Sequence, residues 1–328
     1  MKVFRDAKEV QLGVINGSIV ALGTFDGVHI GHKAVLDKCV SQAKQEGAPS
    51  FVFTFYDHPS RVISPKCAPK SLTDLEDRLA LFQKAGIQYT VLTHFDAKMA
   101  RVTPREFIEN ILIGFLGVKQ VIVGFNYTFG WKAKGNADYL KDLGKVYGFD
   151  VHISMPVEIN GVTVSSTEIR TALAKGNIET ASDMLGRPFS IKGKVIKGDN
   201  RGKLLGYPTV NLDVSDDFAL PKQGVYAAFI YFNDRLFKAV TNIGMRPTFY
   251  GKNVTVETHI LGFDGDLYGA NLRVLFCKRL RDEKKFGSSD ELIYQISKDI
   301  KETDNILNHH LPIDKIMGIS MGISEDAS

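Results

Sequence analysis

Over the first half of the chain, short apolar runs alternate with longer stretches of helical spacing. Ser18–Leu22, Ser50–Phe55, Tyr89–Thr93, Gln120–Gly124 and Val151–Ser154 have the length and residue types of buried strands. Between them, Lys33–Val40 has helical spacing, and two helix starts are spelled out. Thr73-Asp74-Leu75-Glu76 and Thr103-Pro104-Arg105-Glu106 are spaced as capping boxes, the second with proline at the first helical position. Strands and helices alternating at these lengths predict a parallel sheet with helices on both faces.

After residue 188 the helical periodicity gives way to strand-like segments. Ile191–Ile196, Val225–Phe232, Phe237–Val240, Val254–Ile260 and Asn271–Phe276 read as strands, several separated by turn signals such as Asn233-Asp234 and Asp264-Gly265. They predict an antiparallel barrel, with Ser289–Leu307 packed outside it as a helix through Ile293, Ile296 and Ile300. The fold class is α/β followed by all-β, with the boundary near Gly186-Arg187-Pro188. One domain is expected over 1–185, a second over 186–311, and an aperiodic, mobile tail over 312–328.

The stretch Gly23-Thr24-Phe25-Asp26-Gly27-Val28-His29-Ile30-Gly31-His32 joins the first of these strands to the helix that follows. The first N–H groups of a helix lack internal partners, and the helix dipole adds partial positive charge there, so such a turn suits anions. Two histidines flanking a glycine add side-chain donors and allow close backbone approach. A plain strand-to-helix turn with two surface histidines is the competing reading.

Composition narrows the partners. At 328 residues the chain suits two cores, and Lys plus Arg at 41 against Asp plus Glu at 37 leaves +4. That surplus does not argue for nucleic acid or an anionic membrane, while small phosphorylated ligands are compatible with it. Cys39, Cys67 and Cys277 are too scattered for a disulfide framework or a zinc site. No signal-peptide core opens the chain and no run is long enough to span a bilayer, so the cytoplasm is the expected setting.

Other candidate site residues cluster after strands. Phe55-Tyr56-Asp57-His58-Pro59 follows the second strand, and Gly124-Phe125-Asn126-Tyr127-Thr128-Phe129-Gly130 follows the fourth. In a parallel sheet both reach the edge that carries the histidine turn. Val164-Ser165-Ser166-Thr167-Glu168-Ile169-Arg170 starts a further helix, with Ser165 and Glu168 at capping-box spacing, so hydroxyls, free N–H groups and Arg170 gather at a second helix N-terminus. In the second half, Gly198, Arg201, Gly202, Lys203 and Gly206 form a glycine-rich basic loop able to serve phosphates, although it contains no P-loop signature. Thr209 and Asn211, two apart on an extended segment, offer a hydroxyl and an amide oxygen to a hard cation. A basic hairpin followed by an ordinary strand is the alternative. Glu257 is a carboxylate in an otherwise apolar, β-branched strand, where an unpartnered charge is costly.

His-Ile-Gly-His, its Gly-x-Phe-Asp-Gly-Val-His lead-in and Ser-Ser-Thr-x-Ile-Arg resemble the nucleotidyltransferase half of the bacterial bifunctional riboflavin kinase/FAD synthetases. The segments Asn242–Phe249, Val256–Ile260 and Asp266–Gly269 resemble their riboflavin kinase half, over about residues 186 to 310. The resemblance implies a Rossmann-like nucleotidyltransferase domain and a riboflavin-kinase barrel. It implies two reactions: ATP phosphorylates riboflavin to FMN, and FMN phosphate then attacks the α-phosphorus of a second ATP to give FAD and pyrophosphate. It assigns His29 and His32 to ATP phosphates and the transition state, with Ser165, Ser166 and Arg170 as a second clamp. Gly23, Phe25, Asp26, Gly31 and Asn126 fall around the nucleotide. In the kinase half it makes Glu257 the general base and puts Thr209 and Asn211 on Mg2+. Gly198, Arg201, Lys203 and Gly206 then serve ATP phosphates, and His58, Arg246 and Arg281 contact flavin.

Two departures stand out. Asn126 occupies a position where many relatives carry aspartate, and it offers magnesium only a neutral oxygen; Asp57 stands where proline is common and fits a turn residue. A chain that is chiefly a kinase, or a flavin-binding regulator without catalysis, are the alternatives. Oligomeric state, a homo-oligomer included, is left open.

Overall fold

The structure is a computed structural model that describes residues 1–10, 17–198, 202, 205–248 and 251–309. Arg201, Lys203 and the tail over 312–328 lie outside the described residues. The chain divides into two compact units, Met1–Ser166 and the residues from Thr167 onward.

The first unit is built on six parallel strands: β1 (Lys2–Phe4), β2 (Ser18–Leu22), β3 (Ser50–Phe55), β4 (Tyr89–Thr93), β5 (Val118–Gly124) and, after the ribbon β6 (Thr128–Phe129) and β7 (Gly135–Asn136), β8 (Asp150–Ser154). They pair in the order β1-β4-β3-β2-β5-β8. The helices are α1 (Ile30–Glu46), α2 (Ser60–Ile63), α3 (Leu75–Lys84), α4 (Pro104–Glu106), which continues as a π-helix over Phe107–Phe115, and α5 (Ala137–Tyr147). A small hairpin of β9 (Glu158–Ile159) and β10 (Val162–Thr163) closes the unit.

The alternation along β2 shows why its sequence is a continuous apolar run. Val20 and Leu22 belong to one core with Phe51, Phe53 and Phe107, while Ile19 and Ala21 belong to a second with Phe25, Leu36 and Phe82. A strand buried on both faces has no polar side to show. The parallel sheet is thus as expected. Because β2 is flanked by β3 on one side and β5 on the other, the chain reverses direction across the sheet at β2, and the crevice beyond the carboxyl ends of β2 and β5 is the natural ligand position.

The Thr103 capping box forms, with Thr103 Oγ1 accepting from Glu106 N–H at 3.2 Å and the Glu106 carboxylate accepting from Thr103 N–H at 2.8 Å. The Thr73 box does not: α3 is capped by Asp74, which accepts from Asp77 N–H at 2.7 Å. Aspartate is at least as good a cap as threonine, and Thr73 is used elsewhere.

In the second unit α6 (Ser166–Lys175), which starts at its border, and α7 (Ile178–Leu185) precede six strands: β11 (Phe189–Ile196), β12 (Val210–Asp213), β13 (Gly224–Phe232), β14 (Arg235–Thr248), β15 (Gly251–Ile260) and β16 (Asn271–Arg281). They close an antiparallel barrel in the order β11-β12-β15-β14-β13-β16, the architecture predicted. The β13–β14 hairpin turns on Asn233 and Asp234, both left-handed at φ 48° and 57°, as a two-residue loop of matching twist requires. The last helix, α8 (Ser289–His309), packs on β13, β14 and β16.

Candidate active sites

In the turn after β2, Phe25, Gly27 and Val28 have left-handed φ angles of 51°, 83° and 38°. For a non-glycine residue this costs on the order of 1–3 kcal/mol and persists only where the surroundings over-determine it. Here they do. Gly27 N–H donates to Thr73 Oγ1 at 2.9 Å, Asp26 Oδ1 accepts from Leu72 N–H at 2.9 Å, and Ser166 Oγ donates to the Asp26 carbonyl at 2.9 Å. Arg78 Nη1 donates to the Thr24 carbonyl at 3.1 Å. The Phe25 ring is buried beneath, edge-on to His32 at 5.2 Å and to Phe82 at 5.4 Å.

The turn delivers His29 as the N-cap of α1, its Nδ1 accepting from the His32 backbone N–H at 3.2 Å. A neutral ring whose Nδ1 accepts carries its proton on Nε2. The His29 and His32 rings stack at 3.6 Å. Gly31 makes room for this: a Cβ there would sit 3.2 Å from His29 Cε1 and Nδ1.

Other residues of the first site follow neighbouring strands. Gly23 ends β2, its N–H donating to the Phe53 carbonyl at 3.4 Å. His58 lies beyond β3 with Nδ1 accepting from Ser60 N–H at 3.2 Å, and Asp57 faces Arg61 at 4.0 Å. Asn126 is exposed in the tight turn after β5, where Tyr127 N–H returns to the Gly124 carbonyl at 3.1 Å. Ser165 and Ser166 open α6, while Arg170, one turn further along, belongs to the second unit. The Asp26 carboxylate is engaged by the Leu72 backbone and Phe25 is a buried support, so both shape the turn.

In the barrel, strand register assembles the second site. Asn211 on β12 is opposite Glu257 on β15, which is opposite Asn242 on β14. Directly paired residues share a face, so the three form one row across three strands, with Thr209 two residues before Asn211. Glu257 is not set in an apolar environment, as its sequence neighbours suggested. Val256, Thr258 and Ile260 point into the barrel, where the Thr241 and Thr258 hydroxyls bond at 3.0 Å, and Glu257 lies on the opposite, half-exposed face. The period of two separates it from the residues beside it in sequence.

Gly198 and Gly202 approach this row. A Cβ on Gly198 would overlap Asn211 Nδ2 at 2.0 Å, and one on Gly202 would lie 3.1 Å from Thr209 Oγ1. Gly206 is left-handed at φ 84°. His259 Nδ1 bonds the Pro208 carbonyl at 2.8 Å, fixing the residue before Thr209. Asn242 Nδ2 donates to Glu283 Oε1 at 3.3 Å, and Glu283 with Asp282, Ile243, Val254, Leu220 and Pro221 lines a cleft of about 470 Å³. Arg281 does not reach for a ligand with a free guanidinium: its Nη2 donates to Asp299 Oδ2 at 2.7 Å and its Nη1 to the Asp282 carbonyl at 3.0 Å. Arg246 lies on β14 opposite Asn253.

A family model described as FAD synthetase matches residues 13–168, and one described as riboflavin kinase matches residues 185–307. The bifunctional riboflavin kinase/FMN adenylyltransferase of Escherichia coli (strain K12) is 35% identical over 300 residues, covering 91% of this chain and 96% of that protein. The protein of the same name from Bacillus subtilis (strain 168) is 37% identical over 290 residues, covering 87% and 91%. The chain belongs to the bifunctional riboflavin kinase/FMN adenylyltransferase family. A crystal structure titled macrolide-efflux protein, from Streptococcus pneumoniae, is also similar, with a TM-score of 0.84 and 31% identity over 92% of this chain and 98% of that one. Among the described residues of this chain, no helix is long and apolar enough to cross a membrane.

Two residues next to these candidate sites are given no role by the sequence alone. Asn242, at the start of a segment that carries the resemblance, joins Asn211 and Glu257 only through strand register. Arg78 reads as an ordinary helical arginine, yet it is 7% exposed and holds carbonyls of two site loops, from Thr24 and from Phe55 and Tyr56. Burial lowers its pKa, and Asp26, Asp57 and Asp74 oppose that shift. The one available signal is position: Arg78 follows the Thr73–Asp74 helix start by one turn, on the face turned toward the sheet.

Proposed function

We propose that the first unit transfers an adenylyl group from ATP to FMN at the His29 turn, and that the barrel phosphorylates riboflavin at the row formed by Asn211, Glu257 and Asn242. The observation that carries the first assignment is the stacked His29–His32 pair at the N-terminus of α1, at the reversal point of the parallel sheet. Attack of FMN phosphate on the α-phosphorus needs no enzyme nucleophile. It needs in-line alignment and relief of the charge developing on the phosphates. His29 Nε2–H, His32 and the free N–H groups of α1 supply that relief. Gly23 and Gly31 let phosphate approach the backbone, and Ser165 and Ser166 at the start of α6 form the second clamp. Asn126 contacts the nucleotide after β5, and His58 faces the flavin after β3.

In the barrel, Glu257 takes the proton from the riboflavin ribityl hydroxyl as that oxygen attacks the γ-phosphate of ATP. Thr209 and Asn211 offer only neutral oxygens, which fits Mg2+ already carried by ATP phosphates rather than a metal bound by protein alone. Bound there, Mg2+ would neutralise phosphate charge. Gly198, Arg201, Lys203 and Gly206 bring backbone and charge to the phosphates. The cleft is within the range of small-ligand sites and takes the flavin ring. Arg281, held by Asp299, fixes the Asp282–Glu283 wall of that cleft, and Arg246 lies nearby on β14. The proposed setting is the cytosol, with ATP, riboflavin, FMN and FAD as partners and neither nucleic acid nor a membrane.

The test is to incubate the protein with riboflavin, ATP and Mg2+ and separate the flavins by chromatography. FMN followed by FAD is the expected result. FMN alone would leave only the kinase, and failure to consume ATP would leave a flavin-binding protein.

A further inference from the structure

We propose that Arg78 is a positioning residue for adenylyl transfer, fixing the spacing between the nucleotide turn and the flavin-facing segment after β3. This rests on the adenylyltransferase reading of the His29 turn. Arg78 lies on α3, far in sequence from both segments. Its Nη1 donates to the Thr24 carbonyl at 3.1 Å, and its Nη2 donates to the Phe55 and Tyr56 carbonyls at 2.7 and 2.9 Å. Thr24 lies between Gly23 and the left-handed Phe25, and Tyr56 lies two residues before His58. One planar, rigid fork therefore spans the two loops from opposite arms.

Stability alone gives a poor account of this residue. A guanidinium this deeply buried is expensive to desolvate, and a well-packed apolar side chain of similar volume commonly serves a core as well or better. Here the Nε–H remains without a partner. What the fork provides and an apolar residue does not is a fixed distance between the Thr24 carbonyl after β2 and the Phe55 and Tyr56 carbonyls at the end of β3. Reaction geometry is sensitive to such distances, and a displacement of about 1 Å costs on the order of 100-fold in rate. Lysine keeps the charge but presents a single point donor, so it does not hold both arms.

The experiment uses the full chain carrying Arg78→Lys and Arg78→Gln. Three quantities are measured on each: kcat and KM for FAD formation from FMN and ATP, riboflavin phosphorylation by the same sample, and thermal unfolding. For Arg78→Lys the expected result is a fall in adenylyl-transfer kcat of about 10- to 100-fold, with a smaller change in KM. Riboflavin phosphorylation should stay within about twofold, and the first unit should remain folded at the assay temperature. If Arg78→Gln does not fold, Arg78→Lys decides. Wild-type kcat in Arg78→Lys, or a loss accounted for by the unfolded fraction alone, overturns the proposal. A parallel His29→Ala chain that still makes FAD normally would instead overturn the site reading on which the proposal rests.

Discussion

His29 Nδ1 accepts the backbone N–H of His32 at 3.2 Å, and the two rings lie 3.6 Å apart. One side chain thus caps a helix and stacks on its partner, so simple deletion confounds folding with chemistry. His29→Asn separates them, because an asparagine oxygen still caps the helix. We expect His29→Asn to unfold close to wild type and to lose about 100- to 1,000-fold in FAD formation, the range for removing one transition-state donor. His29→Ala should in addition lose about 1 kcal/mol of stability. Unfolding curves and flavin chromatography on the same samples check both. FAD formation retained in His29→Asn would reduce His29 to a cap.

Glu257 is flanked in register by Asn211 and Asn242 and lies on the half-exposed face of β15. Glu257→Gln keeps its shape and removes its basicity. Riboflavin phosphorylation should fall about 100- to 10,000-fold, the loss typical of a general base. FMN supplied from outside should still become FAD at the wild-type rate. Loss of both activities in a folded chain would break the two-site assignment.

These sites were legible in the sequence to different depths. A glycine-rich turn between a β run and a helical run is local, and so is the Thr209–Asn211 spacing. The parallel sheet and the barrel follow from the period and length of the runs. Register is not local, which is why Asn242 joins Glu257 only in the fold and why Glu257 faces away from Val256 and Thr258. Arg78 is further from reach: nothing around it in sequence indicates that its acceptors are Thr24, Phe55 and Tyr56. Thr73 illustrates a smaller ambiguity. Two adjacent residues were each able to cap α3, and Asp74 does so while Thr73 holds Gly27.

The buried thiols Cys39 and Cys277 have their pKa pushed by burial from 9.0 up to about 12. Each holds its proton longer in the folded chain than in the unfolded one. Above pH 9 the unfolded state therefore loses protons that the native state keeps, and stability falls as pH rises toward 12. The slope approaches about 1.4 kcal/mol per pH unit for each thiol. Cys39 lies in the first unit and Cys277 in the second, so replacing Cys39 by Ala should flatten the pH dependence of the first unit alone. Urea unfolding at about pH 8 and about pH 10.5 under reducing conditions measures this. Equal slopes with and without Cys39 would count against it.

Gly198 and Asn211 approach so closely that a Cβ on Gly198 would lie 2.0 Å from Asn211 Nδ2. An alanine there must displace either the start of the loop or the Asn211 amide. Moving the amide shifts an oxygen assigned to nucleotide-bound Mg2+, and moving the loop withdraws backbone from the phosphates. The displacement is about an ångström or more, so we expect Gly198→Ala to lower riboflavin phosphorylation by about 10- to 100-fold. FAD formation from supplied FMN should stay unchanged, because the first unit contains neither residue. Titrating Mg2+ in the kinase assay separates the two routes: a higher Mg2+ requirement points to Asn211, and a raised KM for ATP at saturating Mg2+ points to the loop. Wild-type kinase activity in this variant would show that the contact is not part of the site.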